Sequence, residues 1–64
     1  MPFISVTLIE GRTTEQKHDL LKKLTVASAE ALDIDPQNVR VAIHEVSADE
    51  WGIGGEPMSK LRPA

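Results

Sequence analysis

The chain is 64 residues long, with 7 Lys and Arg against 10 Asp and Glu, a net charge of −3 and 41% hydrophobic residues. A chain of this length holds one small domain, and residues 1–64 are read as one. A net negative chain with a single Phe and a single Trp lacks the basic, aromatic-rich surface that nucleic acid needs. No apolar run is long enough to span a bilayer, and no charged leader with an apolar core opens the sequence. The expectation is a cytoplasmic chain with neither nucleic acid nor membrane as partner. Cysteine is absent, so neither a disulfide framework nor a zinc–thiolate centre can staple the fold. Burying enough apolar surface in so short a chain is demanding, and oligomerisation is one of the common remaining solutions.

Residues 3–9, Phe3-Ile4-Ser5-Val6-Thr7-Leu8-Ile9, read as a strand, with Ile4, Val6 and Leu8 forming one apolar face. Gly11 then marks a turn. Thr13 with Gln16 three residues later fits a capping box, and Glu15 places negative charge in the first helical turn. Leu20, Leu24, Ala27 and Ala31 recur at helical spacing, flanked by Leu21 and Leu32. Lys17, His18, Lys22, Lys23 and Glu30 read as the solvated face. The helix should stop near Leu32 or Asp33, because Pro36 disfavours helical geometry at Asp35. Asp35 can then cap a single helical turn with Pro36 in first position.

Residues 39–46 form the second strand, with Val39, Val41 and Ile43 on one face and Arg40, Ala42, His44 and Val46 on the other. Strand, long helix, strand is a βαβ unit, so the strands should be parallel with a right-handed crossover. The predicted class is α/β. A two-stranded parallel sheet covered by one helix leaves a face bare, and parallel sheets are rarely exposed. A second subunit is the economical cover. Trp51-Gly52-Ile53-Gly54-Gly55-Glu56-Pro57 lacks the Lys-Ser/Thr ending of a phosphate loop and reads as a turn or short hairpin.

Four residues could carry chemistry. Removal of Met1 leaves Pro2 with a free secondary amine, and an amine neutral near pH 7 can act as general base or nucleophile. A typical α-amino pKa is about 7.7–8.0, and burial or a neighbouring guanidinium lowers it. Arg12, at a strand-to-helix junction, and Arg40, inside a strand, suit bidentate carboxylate binding. For either residue alone, a salt bridge to Glu10, Glu45 or a chain end is the preferred reading. Trp51 is either an apolar plug between subunits or a pocket wall. His44 reads as a sheet or interface residue. No His and carboxylate set has metal-ligand spacing.

Taken together, Met1-Pro2, Leu8-Ile9-Glu10-Gly11-Arg12 with Thr13-Thr14-Glu15-Gln16-Lys17, Val39-Arg40-Val41, Gly52-Ile53-Gly54-Gly55-Glu56 and Ser59-Lys60 resemble the 4-oxalocrotonate tautomerase family. The resemblance covers nearly the whole chain at near-constant spacing. It implies a βαβ subunit with a C-terminal hairpin, assembled as a homohexamer, a trimer of dimers. It also implies a cofactor-free isomerase, without metal, that ketonises 2-hydroxymuconate-type dicarboxylates from aromatic-ring degradation. Carried over, Pro2 is the proton shuttle, Arg12 holds the distal carboxylate, and Arg40 from an adjacent subunit binds the 2-oxygen and nearby carboxylate. Trp51 stands where the best-known members carry phenylalanine, a larger wall that reshapes the pocket. Relatives of this fold hydrate or dehalogenate unsaturated acids with a carboxylate activating water, for which Glu50 is the nearby candidate. A chain that keeps Met1 has no basic nitrogen at Pro2 and would be a non-catalytic oligomer.

Overall fold

Alternation of β-branched and apolar residues at the start of the chain gives strand β1, Phe3–Ile9. The computed structural model describes residues 2–61, so the processing of Met1 lies outside the described residues. Gly11, at φ 128°, turns the chain out of the strand, a conformation that favours glycine. Helix α1, Thr14–Leu32, then starts on the predicted capping box. The Gln16 amide donates to Thr13 Oγ1 at 3.0 Å, and the Thr13 amide donates to Gln16 Oε1 at 3.0 Å. Asp33, at φ 55°, ends the helix in a left-handed cap, its amide bonded to the Ala29 carbonyl.

A single 3₁₀ turn, Pro36–Asn38, follows, with the Asp35 side chain accepting from the Gln37 amide at 2.9 Å. Strand β2, Arg40–Val46, lies parallel to β1 with Phe3 opposite Arg40 and Ile9 opposite Val46. The parallel pair and its covering helix match the α/β class expected from the sequence.

Strand alternation puts Ile4, Val6, Leu8, Val41, Ile43 and Glu45 on the helix side. Phe3, Ser5, Thr7, Arg40, Ala42 and His44 fall on the other. Helix α1 packs along Leu20, Leu21, Leu24, Thr25, Ser28 and Ala29, so Leu20 and Leu24 of the predicted row are packed while Ala27 and Ala31 are exposed. The packed stripe is therefore rotated from the 20/24/27/31 row. Thr25 tolerates the contact because its hydroxyl donates to the Leu21 carbonyl at 2.7 Å.

Beyond β2, a 3₁₀ turn at Ala48–Glu50 leads into an antiparallel pair, β3 (Gly52–Ile53) and β4 (Glu56–Pro57), and a short helix α2 (Met58–Leu61). Gly54 and Gly55, at φ 60° and 91°, supply the two positive-φ positions of a two-residue hairpin turn. The Met58 amide closes the hairpin on the Trp51 carbonyl at 2.8 Å.

This arm draws the protomer out to 43 × 24 × 13 Å with a radius of gyration of 14.8 Å, against about 11 Å for a compact chain of this length. Only Ala29 and Val39 are buried apolar residues among those described, and Phe3 is 69% exposed on the uncovered sheet face. Among the described residues no helix is long and apolar enough to cross a membrane.

Candidate functional site

Pro2 precedes β1 and is half-buried. Its carbonyl accepts the Arg40 amide at 3.1 Å, which fixes the chain start against the start of β2. Strand alternation puts Pro2 on the helix side and Arg40 on the uncovered face. Arg40 is exposed, and its guanidinium folds back over the Pro36–Asn38 turn. There Nη1 donates to the Gln37 carbonyl at 2.6 Å and to the Val39 carbonyl at 3.5 Å. Guanidinium has five N–H donors in a fixed fork, so donors remain for a carboxylate.

Arg12 lies beyond the other end of β1. The seven residues of that strand span about 23 Å at ~3.3 Å each. Trp51 also follows the strand ends remote from Pro2, reached through the turn after Val46. One protomer therefore brings Pro2 together with Arg40 at one end of its sheet and leaves Arg12 at the opposite end. Trp51 is half-buried in the arm. Glu50 is exposed, and its carboxylate accepts from the Ser47 hydroxyl at 3.1 Å.

The Arg12 end is a built groove. Leu8 of β1 and Leu20 of α1 give it apolar walls, and Gln16 of the capping box lines it beside Arg12. Lys17, Asp19 and Lys23 supply its remaining charge. Lys17 Nζ pairs with Glu45 Oε1 at 3.0 Å, and Lys23 Nζ pairs with Asp19 Oδ2 at 3.0 Å. Neither Arg12 nor Arg40 forms an ion pair among the described residues, and Glu45, a possible partner from the sequence, belongs to Lys17. The β1–α1 turn that carries Arg12 is held on both sides. The Glu10 amide donates to the Val46 carbonyl at 2.9 Å, and Thr13 is locked into the helix by its cap. Lys17 was read from the sequence only as solvated surface, because its partner is 28 residues away.

The chain is similar to known proteins over nearly its whole length. A family model described as tautomerase enzyme matches residues 2–61. A 2-hydroxymuconate tautomerase of Pseudomonas sp. (strain CF600) is 47% identical over 62 residues, covering 97% of this chain and 98% of the relative. A probable tautomerase of Ralstonia nicotianae is 51% identical over 62 residues, covering 97% and 89%. Among solved structures, a heterohexamer 4-oxalocrotonate tautomerase from Chloroflexus aurantiacus superposes with a TM-score of 0.92 at 42% identity, covering 97% of this chain and 100% of that one. TomN, a 4-oxalocrotonate tautomerase homologue of the tomaymycin biosynthetic pathway, gives 0.89 at 34% identity, covering 98% and 100%. The chain belongs to the tautomerase family and is a tautomerase-like isomerase.

Proposed function

We propose that this chain ketonises 2-hydroxymuconate-type dienols, with the free amine of Pro2 as the base, as part of aromatic-ring degradation in the cytoplasm. The amine accepts the proton of the 2-hydroxyl, and the resulting ammonium returns a proton to a carbon of the conjugated chain. No atom is gained or lost, and no cofactor enters the balance. Strand β1 keeps Pro2 and Arg12 of one protomer too far apart for a single six-carbon diacid. The Arg12 that holds the distal carboxylate therefore comes from a neighbouring subunit, as does the Arg40 that binds the 2-oxygen and its neighbouring carboxylate and offsets the developing enolate charge. Trp51 forms an apolar wall that excludes water.

The supporting observation is the state of the two arginines. Both are exposed, and neither is spent on an ion pair among the described residues, whereas Lys17 and Lys23 of the Arg12 groove are paired. Guanidinium groups left in this way are suited to a dicarboxylate.

The working unit in this reading is a homohexamer of single-domain subunits, each the 1–64 domain without Met1. Support comes from the bare sheet face, the extended arm and the surface area. The protomer exposes 4960 Å², against about 4,000 Å² for a compact monomer of its mass. A parallel sheet needs both faces covered, and neighbouring copies can provide that cover. The ultraviolet decay of 2-hydroxymuconate tests the reading. Enzyme-dependent ketonisation that collapses in Pro2→Ala is expected; full activity in Pro2→Ala overturns it.

A further inference from the structure

Among the described residues, five charged groups meet around the Arg12 groove, and four of them pair off. Lys17 and Lys23 line the groove with Asp19. Glu45 reaches Lys17 from the adjoining strand, where it stands in register with the groove residue Leu8. The two ion pairs differ in character. Asp19 and Lys23 are well exposed, at 55% and 76% of their side-chain surface, and are screened by solvent. Lys17 and Glu45 are more enclosed, at 26% and 32%, and tie the first turns of α1 to the far end of β2. Glu45 thus cancels a cation that would otherwise face the same ligand as Arg12.

We infer that Glu45 is a specificity-determining residue: by neutralising Lys17 it leaves the groove one net positive charge, carried by Arg12, and so matches it to a ligand end bearing a single carboxylate. This inference rests on Arg12 as the distal-carboxylate site. Glu45 acts through Lys17 and touches no substrate. Removing either member of the pair changes the groove's charge in opposite directions. Glu45→Gln keeps an acceptor for Lys17 but frees its positive charge. Lys17→Met removes the cation and leaves the Glu45 carboxylate facing the groove. The double variant restores the original count.

Muconate and sorbate are matched probes, since both are six-carbon dienoates and only muconate carries the distal carboxylate. Their dissociation constants, measured by calorimetry on the intact oligomer, give a muconate-over-sorbate preference that needs no turnover. Glu45→Gln is expected to raise that preference about two- to fivefold, and Lys17→Met to lower it by a similar factor. The double variant should return it to the wild-type value. A general structural role would weaken both ligands alike and leave the preference still. An unchanged preference in both single variants, or a shift of the same sign in both, overturns the inference. Should Glu45→Gln fail to fold, the fall expected in Lys17→Met alone decides the matter. Failure of the tautomerase reading shows separately, as absent ketonisation by a wild type that still prefers muconate. A wild type with no preference for muconate overturns both the inference and the Arg12 assignment.

Discussion

The amide of Arg40 donates to the carbonyl of Pro2 at 3.1 Å, yet their side chains belong to opposite faces of the same two-stranded sheet. The backbone thus holds the two residues at one end of the protomer while directing their functional groups apart. A site that uses both joins the Pro2 of one subunit with the Arg40 of another. Arg40→Ala should lower kcat about 10²- to 10³-fold, as expected for a lost donor to a developing oxyanion. Folding should survive, because among the described residues the guanidinium bonds only the Gln37 and Val39 carbonyls. Steady-state kinetics with circular dichroism as the folding control check both parts.

Pro2→Ala should reduce kcat/KM about 10²-fold, the low end of a positioned general base's contribution. The variant exchanges the rigid secondary amine for a mobile primary amine and does not remove the base outright. The pH profile carries the sign. A base must be unprotonated, so kcat/KM should rise with pH through the titration of the free-enzyme amine and then level. A profile flat across that range would assign the proton transfer to another group.

Arg12→Ala should raise KM for a dicarboxylate about ten- to a hundredfold, the range for losing a charge-assisted hydrogen bond of about 1.5–3 kcal/mol. A monoacid substrate lacks the group that Arg12 holds, and its KM should stay within about twofold, the scale of a remote charge effect. Comparison of 2-hydroxymuconate with a 2-hydroxydienoate lacking the second carboxylate supplies the measurement.

The capping box supports α1 directly behind Arg12. Thr13→Ala removes the acceptor for the Gln16 amide and should cost about 1 kcal/mol of stability, while Thr13→Ser should be close to neutral. Thermal unfolding at one fixed protein concentration resolves the two, since assembly makes the midpoint concentration-dependent.

Much of this architecture is legible in the sequence because local chemistry dictates it. The alternating β1 residues, the Thr13–Gln16 cap, the Asp35-Pro36 turn and the Gly54-Gly55 hairpin each rest on neighbours within a few positions, and each is found. The rotation of α1 is not legible in that way. Thr25 and Ser28 are polar and fall outside the 20/24/27/31 row, but both are half-buried, and the Thr25 hydroxyl is satisfied within its own helix. The turn at Ala48–Glu50 and the helix Met58–Leu61 are too short to show a hydrophobic period. The Lys17–Glu45 pair depends on a helix-to-strand contact that spacing alone does not reveal. For the site, the residue types and the separation of Pro2 from Arg12 by the length of β1 are readable, whereas the placement of Arg40 beside Pro2 needs the parallel register.

Subunit complementation tests most directly whether Pro2 and Arg40 act across a subunit boundary. Pro2→Ala and Arg40→Ala chains, each nearly inactive alone on 2-hydroxymuconate, would be unfolded together in equal amounts and refolded. Random assortment gives about a quarter of the sites an intact Pro2 facing an intact Arg40, so about a quarter of wild-type ketonisation should return. If the mixture stays as inactive as its components while assembling normally, Pro2 and Arg40 do not work across subunits, and the shared-site account is wrong.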